Sequence, residues 1–196
     1  MKTDAEAWAA CHDFDAWIFD KMILSRRLGY LCGPVGVDVP KPGWYVVRPC
    51  VNALGMGRGA RFMWIERSTD DLPLGFFWSE IFEGEHLSVD YLHGEPIMAV
   101  RGHRDPDRPL YEWISWEAVA VRPDLPHQIR QALRGTYRIM NVEYIGGKVI
   151  EVHLRGNPDF VDGYDEMIVA RSGDSRPDGY IFVPAPDYNR IGFFAR

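Results

Sequence analysis

Along much of this chain apolar and polar residues alternate with a period of two, and elsewhere the spacing is helical. The clearest block is NVEYIGGKVIEVHLR, residues 141–155. Its two alternating runs flank Gly146-Gly147, a dipeptide suited to a tight two-residue turn, so residues 140–160 are expected to form a β-hairpin. HLSVDYL at 86–92 alternates strictly and predicts a strand. An aromatic strand is expected at 76–82, broken from it by Glu83-Gly84-Glu85, and a further strand at 97–101. Shorter strands are expected at 44–47, ending at Arg48-Pro49, and at 61–66. Residues 111–121, with Trp113 and Trp116, read as a strand pair or a buried connector. Residues 180–182 and 191–194 read as a terminal hairpin.

Helical spacing covers residues 3–28, where Trp8, Cys11, Phe14, Ile18, Met22 and Leu24 recur on one face. Thr3 can cap the start with Glu6 three residues on, and Gly29, Gly33, Pro34 and Gly36 end the helix in a loop. A shorter helix is expected at 124–133, capped by Asp124 with Pro126 in its first turn. Another is expected at 162–171.

The chain has 196 residues, 46% of them hydrophobic and 13% aromatic, enough for a real core in one domain or two small lobes. The net charge of −6 disfavours non-specific contact with nucleic acid. An acidic chain that takes a nucleotide needs local cations or a metal. Three scattered cysteines, Cys11, Cys32 and Cys50, make no metal motif and fit buried thiols in a reducing cytoplasm. No long apolar run or basic leader is present, so neither a membrane span nor a signal peptide is expected.

Chemistry concentrates on the hairpin. Glu143 precedes the turn and points to one face of its strand, and Glu151, His153 and Arg155 follow the turn at alternate positions, so these three are expected on the same face. Two readings fit: a solvated face with a Glu–Arg pair, or carboxylates and an imidazole gripping a divalent cation that shares its coordination with phosphates. A second candidate is the glycine-rich stretch 52–60, whose Gly55, Gly57 and Gly59 allow close backbone approach to a ligand, with Arg48 and Arg58 beside it. It could equally be a hairpin tip, and it is not a helix-opening phosphate loop. The break at Glu83-Gly84 could expose backbone groups to a base edge or be a plain bulge. His86 is a ligand contact or a structural histidine. The charged stretch 102–109 is expected as a loop, and it either carries a substrate contact through Arg101, His103 and Arg104 or is solvated.

Four segments taken in order resemble the ATP-grasp superfamily: Asp20-Lys21, YVVRPCVNALGMGRGA, WSEIFEGEHLSVDYL and NVEYIGGKVIEVHLR. The resemblance spans residues 16–160. It implies an α+β fold of two lobes whose antiparallel sheets clasp a nucleotide, with the first lobe at about 1–75, the second at about 76–160 and a C-terminal extension at 161–196. It implies a compact member without the usual N-terminal α/β domain. By resemblance, the cofactors are ATP and Mg²⁺ or Mn²⁺. Glu143, Glu151 and His153 would hold the metal. Lys21, Arg48, Gly55, Gly57, Arg58 and Gly59 would meet the phosphates. Glu80 and the backbone at Phe82 would meet the adenine, and His86 the ribose. Arg155 and Arg101 would act in catalysis. The implied reaction activates a carboxylate as an acyl phosphate for attack by an amine or thiol, with a partner protein able to present substrate. A nucleotide-binding module without catalysis is the alternative. The chain departs from the pattern in having His153 where asparagine is expected, an imidazole that suits Mg²⁺ less well and favours Mn²⁺ or a softer ion, and Arg48 in place of lysine, a cation of different geometry.

Overall fold

The alternating segments pair as antiparallel ladders and set the architecture. The computed structural model describes residues 3–52, 57–159 and 163–196. In chain order the elements are α1 (Asp4–Ala9), a 3-10 stretch (Asp13–Phe19), α2 (Lys21–Arg27), β1 (Cys32–Pro34), β2 (Gly43–Pro49), β3 (Arg61–Ile65), β4 (Phe76–Ser79), β5 (His86–Leu92), β6 (Glu95–Arg104), β7 (Trp113–Ala118), α3 (His127–Ala132), β8 (Ile139–Ile145), β9 (Lys148–His153), β10 (Glu166–Ala170), β11 (Ile181–Asp187) and β12 (Arg190–Ala195). They form a four-stranded sheet in the order β1-β4-β2-β3 and an eight-stranded sheet in the order β11-β12-β10-β7-β6-β5-β8-β9. Two antiparallel sheets with a few short helices make an α+β fold. Among the described residues no helix is long and apolar enough to cross a membrane.

The stretch expected as one helix over residues 3–28 is three pieces. Thr3 and Glu6 form the anticipated capping box on α1. The helix then stops because short polar side chains offer the backbone other partners. His12 Nδ1 accepts from the Phe14 amide. Asp20 lies outside the helix and caps α2, accepting from Met22 and Ile23 at 2.9 Å each. Its neighbour Lys21 is buried. Asp15 is buried too and accepts from the backbone N–H groups of Arg134 and Gly135 and the hydroxyl of Tyr137.

Other boundaries move for similar reasons. The 162–171 helix is replaced, where described, by strand β10, which pairs with both β7 and β12. So the C-terminal segment is part of the large sheet, not an appendage. β11 and β12 do pair as the terminal hairpin. β4 joins the small sheet through β1 and β2, so the changeover between sheets falls after Ser79 rather than at residue 75. α3 begins at His127 with Pro126, not Asp124, at its cap. β6 runs on to Arg104, through residues expected as loop.

The large sheet has two unlike faces. One packs Val89, Tyr91, Val142, Tyr144 and Val152 with Ile18, Leu24 and Ile129 of the helical layer. The other carries His86, Ser88, Asp90, Asn141, Glu143, Glu151 and His153 toward the small sheet. The small sheet has its own core of Val39, Tyr45, Val47, Ile65, Leu72 and Trp78.

The β8–β9 hairpin turns at Gly146 and Gly147, whose φ angles are 55° and 78°. Gly146 also abuts the chain between the sheets: its amide donates to the Glu85 carbonyl at 2.9 Å, and a side chain there would collide with the Glu83 carbonyl. Gly147 has no neighbour within 4 Å of such a side chain. Gly147→Ala is therefore expected to cost about 1–2 kcal/mol from backbone strain alone. Gly146→Ala adds a steric term of about 1–3 kcal/mol. Urea denaturation of the two variants side by side checks the difference, and equal losses would contradict the contact.

Burial works against the charge on Asp15, but the bonds from Arg134, Tyr137 and Gly135 outweigh it and hold the carboxyl below its ordinary value. A carboxyl depressed in the folded state binds fewer protons folded than unfolded. Its contribution is full above the unfolded value of about 4 and is lost as pH falls through the lower folded value. Asp15→Ala is expected to cost about 3 kcal/mol at neutral pH, since it strands several donors. The gap between wild type and variant in urea melts should narrow on acidification below the unfolded value.

Candidate functional site

The two sheets enclose a cleft of about 650 Å³. Its floor is the polar face of β5, β8 and β9. Register places these side chains in two cross-strand rows, Ser88–Glu143–Glu151 and Asp90–Asn141–His153. Directly opposite residues in an antiparallel pair stand about 5 Å apart, so each row forms a contiguous polar strip. Asn141 donates to Ser88 Oγ at 2.8 Å and to Asp90 Oδ1 at 2.9 Å. The loop after β9 closes the strip, with the Asn157 amide donating to Asp90 and its side chain to Ser88.

Glu143, Glu151 and His153 each offer one ligand atom, all within 4.8 Å of one another. The three share one face of the sheet. Two carboxylate oxygens and an imidazole nitrogen fit a divalent cation of the Mg²⁺ or Mn²⁺ class. Around them charges alternate. Lys21 Nζ is 3.3 Å from Glu151 Oε1. His86 Nε2 is 3.2 Å from Glu143 Oε2. His153 Nε2 lies 3.5 Å from Glu151 and 3.8 Å from Glu143. Burial opposes ionisation of Glu143, but His153 and His86 outweigh it and pull the carboxyl well below its usual range. Burial likewise opposes a charge on His153. The charge of Glu151 and bonds to Asp4 and Glu143 prevail, and its pKa is pushed up to about 9.

Arg155 lies beyond the end of β9 but still lines the cleft. It is held by Asp4, an unanticipated member of the site contributed by the first turn of α1. Arg155 Nε donates to Asp4 Oδ1 at 2.7 Å and Nη2 to Oδ2 at 2.9 Å. His153 Nδ1 is 3.0 Å from the same Oδ1. Burial alone would raise the Asp4 pKa, yet His153 and Arg155 hold it well below the ordinary value.

The roof comes from the small sheet. Arg48 is buried, donates to the Ile150 carbonyl at 3.1 Å and lies over Phe77. Its alternating position beside core Val47 turns it to the cleft with Val46. Gly57 lines the cleft, its amide tied to Asn52 Oδ1 at 2.8 Å. Gly55 lies outside the described residues. Gly59 packs on Phe76 instead of lining the cleft. Arg58 stacks over Tyr188 of the β11–β12 turn at 5.1 Å, so its side chain turns toward the C-terminal hairpin.

At the junction between the sheets, Glu80 and Phe82 both line the cleft. Glu80 Oε1 accepts from the Leu31 amide at 2.9 Å, and the Phe82 ring packs edge-on to Tyr30. Among the described residues the backbone groups of Ile81, Phe82 and Glu83 make no backbone hydrogen bond. His86, expected beside a ribose, sits next to Glu143, and its ring lies 4.2 Å from that of Trp113.

Arg101 does not reach the cleft. It shares the opposite face of the sheet with its cross-strand partner Leu87 and pairs with Glu85 and Glu117. Its candidacy as a catalytic residue is corrected on that ground. His103 pairs with the same Glu117. Arg104 does reach the cleft: it lies two residues after Gly102, the cross-strand partner of His86, and so shares the cleft face by alternation. Beyond His86 the floor becomes apolar, with Trp113, Trp116 and Val169, and cationic at its rim, with Arg171 and Arg190. Arg190 makes a bidentate pair with Asp159 at 2.9 and 3.1 Å. The terminal hairpin that supplies it showed only its strands in the sequence.

No family model matches the sequence, and no curated protein matches it. Solved structures do. A protein from Archaeoglobus fulgidus described as an ATP-grasp superfamily member superposes with a TM-score of 0.59 at 14% identity, covering 93% of this chain and 65% of that one. An L-amino acid ligase from Bacillus licheniformis gives 0.46 at 16% identity, covering 70% and 40%. A D-alanine–D-alanine ligase from Bacillus anthracis, complexed with ATP, gives 0.40 at 13% identity, covering 72% and 56%. The chain thus spans between 40% and 65% of the length of these three structures. With two antiparallel sheets closed over a polar cleft, and 93% of its own length superposed on the Archaeoglobus structure, the chain has the ATP-grasp fold.

Proposed function

We propose that the protein is an ATP-dependent ligase-like enzyme that activates a carboxylate as an acyl phosphate for attack by an amine or thiol. The observation that carries this reading is the convergence of Glu143, Glu151 and His153 within 4.8 Å on the floor of a cleft roofed by Arg48, in a chain with this fold. The trio holds a divalent cation. That cation, when bound, neutralises charge on the phosphate chain of ATP. Lys21 and Arg48 add fixed positive charge on the same side, where low exposure makes each charge count for more than in water. Arg155, held in one orientation by Asp4, presents its guanidinium edge to the transferring group. Backbone groups at 81–83 meet the adenine edge, and the backbone at Gly57 closes over the phosphates. Positioning and charge neutralisation supply most of the rate in such transfers.

A second reading, a nucleotide-binding module without turnover, draws support from the pairing of Lys21 with Glu151 and of Arg155 with Asp4, which satisfies both cations within the protein. Phosphate release with a panel of carboxylic acids and amines separates the two readings.

Calorimetric titration with ATP and Mn²⁺ or Mg²⁺ tests the site itself. Glu151→Gln and Glu143→Gln are each expected to weaken metal-dependent ATP binding by at least about tenfold, with the fold retained by circular dichroism. Affinity unchanged in both variants would exclude the trio as the metal site.

A further inference from the structure

We propose that Asp4 is a positioning residue for His153: it fixes the imidazole with Nε2 toward the Glu143–Glu151 pair, and so gives the cleft a preference for a manganese-class cation over magnesium. The inference rests on the metal site of the preceding section and deepens it.

A neutral imidazole has one N–H and one lone pair, and the bond made by one nitrogen decides the role of the other. Here Nδ1 is 3.0 Å from a carboxylate oxygen of Asp4. Asp4 bears no proton to give, so Nδ1 carries the hydrogen. A cation that takes Nε2, the nitrogen facing Glu151 at 3.5 Å and Glu143 at 3.8 Å, displaces the proton there and leaves Nδ1–H bonded to Asp4. Asp4 is itself immobilised. Arg155 grips both of its oxygens, and Arg155 is anchored in turn on the Gly156 carbonyl at 2.9 Å. The Thr3–Glu6 capping box fixes the backbone around it. The Arg155 pair alone would need no imidazole. Oδ1 is shared between Arg155 Nε and His153 Nδ1, so the geometry joins the carboxylate to the ring as well as to the guanidinium.

Carboxylate–imidazole–metal arrangements orient the ring and raise its basicity, and loss of the outer carboxylate commonly lowers metal affinity. An imidazole nitrogen also moves a site away from Mg²⁺, which favours oxygen ligands, toward first-row transition cations. Position 153 is where the ATP-grasp pattern expects an amide oxygen. A carboxylate behind the imidazole compensates for that exchange with a stronger nitrogen donor. The carboxylate comes from α1, a segment the resemblance does not cover.

The test compares wild type, Asp4→Ala, Asp4→Asn and His153→Asn by calorimetry with Mn²⁺ and with Mg²⁺. ¹⁵N spectra of the labelled imidazole, with Zn²⁺ as the diamagnetic probe, report which nitrogen is protonated. Wild type is expected to bind Mn²⁺ at least tenfold more tightly than Mg²⁺, with Nε2 ligated and Nδ1 protonated. Asp4→Ala is expected to lose about 10–100-fold in Mn²⁺ affinity and to release the ring from a single tautomer, with Mg²⁺ less affected. Asp4→Asn keeps an acceptor for Nδ1 and should retain the tautomer at intermediate affinity, which guards against a folding defect in the alanine variant. His153→Asn should abolish the Mn²⁺ preference. Equal Mn²⁺ and Mg²⁺ affinity in wild type would overturn the proposal, as would Asp4 variants that leave both tautomer and Mn²⁺ affinity unchanged. Failure of any cation to bind wild type would bring down the metal site as well, whereas normal binding of ATP with metal alongside indifferent Asp4 variants would remove only the role of Asp4.

Discussion

Everything in the cleft depends on the register of β8 between β5 and β9. Side chains on a strand alternate between faces, so a slip of one residue would exchange Glu143 and Asn141 for Val142 and Tyr144. The apolar face forbids that slip. Val142, Val89, Tyr91, Tyr144 and Val152 are almost wholly buried against the helical layer, and each would be turned out by it. The chemistry on one side of the sheet is thus fixed by oil-like packing on the other. The bulge between Glu143 and Tyr144 lets Val149 join the core without moving Glu151 from its place opposite Glu143.

The second constraint is electrostatic. Lys21, Glu151, His153, Glu143 and His86 form a chain in which acidic and basic groups alternate, and Asp4 and Arg155 branch from it at His153. Burying such groups singly is costly, and removal of one member leaves its neighbour uncompensated. A network of this kind is poor value as a fold stabiliser compared with apolar side chains of the same size. Its value lies in holding ionised groups at fixed positions where a charged ligand meets them.

The hairpin and its glycines were legible because a period-two pattern around Gly146-Gly147 admits few other structures, and the face shared by Glu151 and His153 followed from spacing, whereas Glu143 stands opposite Glu151 only through the bulge beside it. The strand 86–92 was legible for the same reason. What stayed hidden was long-range. Asp4 looks like an ordinary first-turn acid on a capped helix, and nothing near it in sequence points to Arg155. Arg101 and Arg104 are both arginines on a charged segment read as loop from residue 102; only the extension of β6 through Arg104 puts Arg104 on the cleft face and Arg101 on the other by alternation. Strand β10 read as helix because its neighbours β7 and β12, not its own residues, decide its conformation. The breaks at His12 and Asp20 were visible as polar residues, but the apolar spacing across them outweighed their capping potential.

The bond between Asp4 and His153 spans 149 positions of the chain. During synthesis the first helix leaves the ribosome long before the strand that it serves. At ordinary elongation rates of about 5–20 residues per second, that delay is roughly 7–30 s. Throughout it, the acid that will steer the imidazole is tethered to a nascent polypeptide without its mate, and Arg155, its other mate, arrives later still. The cleft therefore matures only after both carboxylate-bearing strands have been made.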